Sequence, residues 1–174
     1  MKAVRLFCIV AAFIFQLNHL NAQPSKASER AITFADSLLK AFRQNHLDQY
    51  EQLCYPGVVK YYGGQKNFRE YLFRARLVGY HDAIAKLKII QMQNVRTEWQ
   101  CVIEKVSECT LDGRKAHIIS YLVGQSTDNG DHWKFVDVAL NPSSNVVYIM
   151  PDIFETLRVP QRQVIYENNF VSKM

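Results

Sequence analysis

Apolar positions in the first third of the chain recur three or four residues apart. Ala31, Ala35, Leu38, Leu39 and Phe42 give SKASERAITFADSLLKAFRQN one buried helical face, with Ser28 as the expected N-cap. A shorter helix, DQYEQLC, is predicted from Asp48, with Glu51 three residues on in an Asp variant of the capping box. Pro56 and Gly57 end it, and Val58 to Tyr62 suffices for one or two further turns. Phe68, Tyr71, Leu72 and Ala75 then put QKNFREYLFRARL on a third amphipathic helix. Gly63-Gly64 stands between two helical segments. A phosphate loop needs an apolar strand before it and Gly-Lys-Ser/Thr at its end, and a dinucleotide fingerprint needs a third glycine. Neither is present. The pair reads as a turn, because a helix ends well on a left-handed residue and glycine adopts that conformation at little steric cost.

From residue 85 the period changes to two. AKLKIIQM sets Leu87 and Ile89 against Lys86 and Lys88, and TEWQCVIEKV sets Trp99, Cys101 and Ile103 against Glu98, Gln100 and Glu104. Asp112-Gly113 marks a hairpin turn, AHIISYLVGQS is a third strand, and Asn129-Gly130 turns the chain into HWKFVDVAL. In that fourth strand Trp133, Phe135 and Asp137 share one face and Val136 and Val138 the other. Consecutive strands joined by short turns predict an antiparallel meander. A short helix follows from Asn141-Pro142 through Met150, and 161–174 is polar and reads as a loose tail. Helices first, then an antiparallel sheet of about four strands, is an α+β plan.

The first residues add a targeting signal. Lys2 and Arg5 precede ten unbroken apolar residues, Leu6 to Phe15, and the stretch ends in Asn21-Ala22-Gln23. That order predicts a signal peptide over 1–22, cleaved after Ala22, and export to the periplasm or beyond. Ten apolar residues are too few for the ~20 that span a bilayer, so no integral membrane segment is expected in the mature chain. Cleavage leaves 152 residues (174 less 22), enough for one domain over 23–160. It also lowers the formal charge from +5 to +3, since the leader carries two bases and no acid. No basic cluster marks a nucleic-acid footprint; Arg69, Arg74 and Arg76 read as an exposed helix face. The mature chain keeps Cys54, Cys101 and Cys109, and an odd count predicts a free thiol or an intermolecular bond. No C-x-x-C or H-x-x-x-H spacing offers a metal site, and no cofactor is expected.

The ordered pieces FADSLLKAF, LCYPGVVKYYGGQKNFREYL, EWQCVIEK, SYLVGQSTDNGDHWKFVDV and LRVP resemble the nuclear transport factor 2-like superfamily, which includes SnoaL-like and ketosteroid-isomerase-like proteins, and most of all its small secreted Bacteroidota-type members. The resemblance covers roughly Ala31 to Pro160. It implies a cone, with three helices on the concave face of a bent sheet and a pocket at the open end. Where related members carry a charged helix after the W-x-F-x-D strand, this chain has the apolar NPSSNVVYIMP, which alters the pocket mouth or makes a pairing surface such as a homodimer contact.

Asp137 is the sharpest candidate for chemistry. A carboxylate among Trp133 and Phe135 would have a raised pKa and could exchange protons; the opposing reading is a structural anchor near the strand end. An acidic pair and a tyrosine do the proton transfer in ketosteroid isomerases, but those residues do not map onto this chain. His117 and Tyr121 share one face of the third strand, and His81 and Asp82 lie in a loop; any of them could meet Asp137 across the sheet. Trp99, Cys101, Trp133, Phe135 and Asp137 are the expected pocket lining. Two functions follow: a non-catalytic module for a small apolar ligand or a protein partner, or an acid-base enzyme of the ketosteroid-isomerase or SnoaL type.

Overall fold

The computed structural model describes residues 26–77, 85–95, 97–111, 113–141 and 143–167. The predicted leader, His81 and Asp82 lie outside them. Four helices come first: α1 (Lys26–Arg43), α2 (Leu47–Leu53), α3 (Pro56–Tyr61) and α4 (Gln65–Leu77). Strands β1 (Lys86–Val95), β2 (Glu98–Leu111), β3 (Arg114–Ser126) and β4 (Lys134–Asp137) follow, then α5 (Ser143–Ile149), α6 (Ile153–Thr156) and β5 (Gln163–Tyr166). The architecture is α+β, as the two periodicities predict.

The sheet is antiparallel throughout, in the order β1-β2-β3-β4, with β5 also on β3. β4 covers residues 122–125 of β3, and β5 covers 116–119. The tail is therefore not loose at 163–166. β4 is four residues long, so it leaves the lower half of the β3 edge with unpaired backbone groups. Gln163–Tyr166 satisfies them, and the Arg114 guanidinium lies 4.2 Å over the Tyr166 ring.

Register sorts the strands into two faces. Ile103, Leu122 and Asp137 stand abreast, as do Cys101, Gly124 and Phe135. This face meets the N-terminal helices: α1 packs on β1 and β2, α2 packs on β4, and the N–H of Tyr55 donates to the Phe135 carbonyl at the β4 edge (2.8 Å). Ala31, Ala35, Leu38, Leu39 and Phe42 of α1 are all buried against it. A bulge at Ile90 shifts the β1 register so that Ile89 and Met92 both face the helices. The opposite face is covered by the α6 segment, held by side-chain amides: Gln91 exchanges two hydrogen bonds with the backbone of Arg158, and Gln93 donates to the Thr156 carbonyl.

Local signals misplace three polar residues. Ser28 lies within α1 rather than capping it, and its hydroxyl donates to the Met92 sulfur. The Asp48/Glu51 capping box does not form. His46 occupies the N-cap position of α2 without a side-chain cap, and both carboxylates bind Arg69 of α4 instead, Glu51 at 2.8 Å. A guanidinium offers several donors and a full charge, which outcompetes a neutral backbone N–H. Arg76 likewise donates to the Phe42 carbonyl and stacks 5.7 Å above its ring, so Arg69 and Arg76 tie α4 to its neighbours.

Gly63 and Gly64 form the α3–α4 turn, with φ of +80° and +107°. A Cβ on Gly64 would meet nothing within 4 Å, so the backbone alone demands glycine there. Gly64→Val should cost ~1–2 kcal/mol through the left-handed strain. An unchanged midpoint of chemical unfolding would overturn this reading.

Candidate functional site

Asp137 ends β4 with its side chain pointing into the core. There its Oδ2 lies 3.0 Å from the ammonium of Lys105, and the two side chains are 2% and 0% exposed. Oδ1 accepts the Ala139 N–H (2.9 Å), and the Asp137 carbonyl accepts the N–H groups of Leu140 and Asn141. The carboxylate is thus a counter-ion to a buried lysine and a brace for the turn that follows β4. Lys105 escaped the sequence reading, although the signal was present. It continues the Trp99, Cys101, Ile103 alternation and so had to face the same side as Asp137.

Tyr121 and His117 do not meet Asp137. They occupy odd positions of β3, while Asp137 stands opposite Leu122, so they project from the other face of the sheet. Tyr121 lies opposite Glu104; burial and then the Glu104 charge raise its hydroxyl above the usual range. His117 contacts the Glu167 carboxylate at 3.1 Å, beside β5.

Cys101, Trp133 and Phe135 are wholly shielded from solvent. Trp133 and Phe135 stack at 6.3 Å, and the indole N–H donates to the Gly130 carbonyl. Trp99 is half-buried, 3.4 Å from the Asn129 side-chain oxygen. Cys101, Trp133 and Phe135 form the middle of the core, and Trp99 packs against its edge. The surface cavities at the α1–β1 groove, beside α6 and at the β3–β4 turn are lined by other residues.

Cys54, Cys101 and Cys109 are all free thiols. Burial pushes Cys101 up to about 12 and Cys54 higher still, against a weaker opposing effect of Tyr50 on Cys54. Thiolate is the reacting form, so iodoacetamide at pH 8 should label Cys109 in the native protein and reach Cys54 and Cys101 only on unfolding. Peptide mass mapping reads the outcome. Native labelling of either buried thiol at the Cys109 rate would contradict the packing.

Several cavities open on the surface among the described residues. One, about 560 Å³, is a mostly apolar groove between α1 and the edge strand β1, lined by Ile32, Leu87, Ile89 and Met92 with Ser28, Glu29 and Lys88. Another, about 480 Å³, is lined by Val95, Thr97, Glu98, Gln100, Asp152, Glu155 and Thr156. A third, about 460 Å³, has a mixed polar and apolar wall that includes Tyr55, Glu98, Asp128, His132, Lys134 and Asp152. Asp128 and His132 passed unnoticed in the sequence, where TDNGD carries an obvious turn signal. Their four-residue spacing across that turn is the trace they leave. Among the described residues no group of three or more His, Cys, Asp or Glu side chains is placed to hold a metal ion, and no helix is long and apolar enough to cross a membrane. No family model, curated protein or solved structure matches this chain.

Proposed function

We propose that the protein is an exported small-ligand module of the nuclear transport factor 2-like type, and that its ligand is an apolar molecule held in the α1–β1 groove. The observation that carries this reading is the groove lining. Ile32, Leu87, Ile89 and Met92 supply an apolar floor, and the Ser28 hydroxyl is already engaged with the Met92 sulfur at 3.1 Å. Ligand pockets combine such an apolar wall with few polar groups, and here the charged groups are Glu29 and Lys88. The Asp137 carboxylate supports no acid-base chemistry at the core position, because Lys105 and the turn backbone occupy it.

The test is fluorescence titration of the chain beginning at Gln23 with the neutral probe N-phenyl-1-naphthylamine. Saturable binding is expected. Ile32→Glu should weaken it at least tenfold, or about 1.4 kcal/mol. Tyr148→Glu, at a 77% exposed residue of α5 that is not among the groove residues, should leave it unchanged. Equal affinity in Ile32→Glu and the native chain would sink the assignment.

A further inference from the structure

The turn between β3 and β4 builds a second constellation, away from the groove. The Asp128 carboxylate accepts three hydrogen bonds from its own turn: Ser126 Oγ at 2.8 Å, the His132 N–H at 2.9 Å, and the His132 ring nitrogen Nδ1 at 2.5 Å. The His132 backbone, then its ring, hold the Asp128 carboxyl well below the usual carboxylate range. An ionised carboxylate can only accept, so Nδ1 carries the ring proton and the lone pair of the neutral imidazole sits on Nε2. The Phe34 ring meets the imidazole edge-on, 5.9 Å away at 84°, and fixes its plane. The turn itself requires only the Ser126 and backbone contacts. The ring contact is additional, and it sets the imidazole on the wall of the 460 Å³ cavity.

We propose that this cavity is a second functional site, in which Nε2 of His132 acts as a general base on water and the water cleaves a small polar ester. As the water oxygen bonds to the acyl carbon, its proton passes to Nε2. When the bond from that carbon to the alcohol oxygen breaks, the proton passes from Nε2 to the departing alkoxide, and acid and alcohol leave. Asp128 keeps the correct tautomer and stabilises the imidazolium between the two transfers. Lys134, two residues on, lines the same cavity. Its ammonium donates to the Gln52 carbonyl and keeps two further N–H bonds for a developing oxyanion. The other ionisable groups on the cavity wall are Glu98, Asp152 and Tyr55. Glu98 accepts from Gln125 at 2.6 Å, and the acidic surroundings favour polar, uncharged or cationic esters over anionic ones.

Hydrolysis of p-nitrophenyl acetate by the chain from Gln23 tests this. The rate per molecule should exceed that of free imidazole at equal concentration. His132→Gln should lower it by about 10²-fold with an unchanged melting curve, since that side chain is 72% exposed. Asp128→Asn should lower the rate and weaken the preference for the Nδ1–H tautomer. A native rate no greater than that of imidazole, or a His132→Gln rate equal to the native one, overturns the proposal. Nitrogen NMR of the native protein is an independent check that needs no variant: a neutral His132 protonated on Nε2 would also overturn it.

Discussion

Asp137→Asn should destabilise the domain by about 3–5 kcal/mol, measured by chemical unfolding at neutral pH. The substitution leaves the Lys105 ammonium in a site with no solvent contact and with its 3.0 Å counter-charge removed. Stranding one member of a buried pair costs far more than the pair contributes, because desolvation of the remaining charge is no longer offset. For a domain of ordinary stability, about 5–15 kcal/mol, this is a large share. Adding Lys105→Met should recover at least ~2 kcal/mol of the loss, since no charge is then buried and Asn can still accept the Ala139 N–H. A cost below about 1 kcal/mol for the single variant, or a double variant less stable than the single one, would refute the account.

Gly124→Val should rank next, at about 3 kcal/mol or more. Gly124 lies between Cys101 on β2 and Phe135 on β4, and here the need for glycine is one of space. An added Cβ would fall 2.7 Å and 2.9 Å from two Phe135 ring carbons and 2.8 Å from the Cys101 sulfur. Both neighbours are fully buried, and neither can retreat without moving the strands. Gly124→Ala should cost about 1–3 kcal/mol. Phe135→Leu, destabilising alone, should cost less in the Gly124→Ala background, because the smaller side chain frees the space that the new methyl needs. Native-like melting of Gly124→Ala would show that the sheet gives way there.

The candidate sites were legible to different depths. The inward direction of Asp137, Trp133 and Phe135 followed from alternation, and the structure places all three inside. What they face did not follow. Alternation orders residues within one strand. The side of β3 that bears Tyr121 and His117, relative to Asp137, depends on inter-strand register, and Leu122↔Asp137 puts them on opposite faces. The groove is harder still to read, because its walls come from α1 and β1, about sixty residues apart in the chain. The Asp128–His132 contact is local, yet a four-residue spacing within a turn is too common to single out before the ring orientation is known.

By itself the sequence determined the kinds of element and their order. A 3.6-residue period and a two-residue period reflect the geometry of a single segment, and glycines at left-handed positions reflect the backbone of one turn. Tertiary structure decided where each polar group found its partner. Arg69 took the carboxylates that local spacing assigned to a helix cap, and Lys105 reached Asp137 across 32 residues of chain. Gln163–Tyr166 became a strand because β4 was too short to cover the β3 edge. A buried charge or an open strand edge is satisfied by whatever the fold brings within about 3 Å, and that meeting is a property of the packed chain rather than of any window along it.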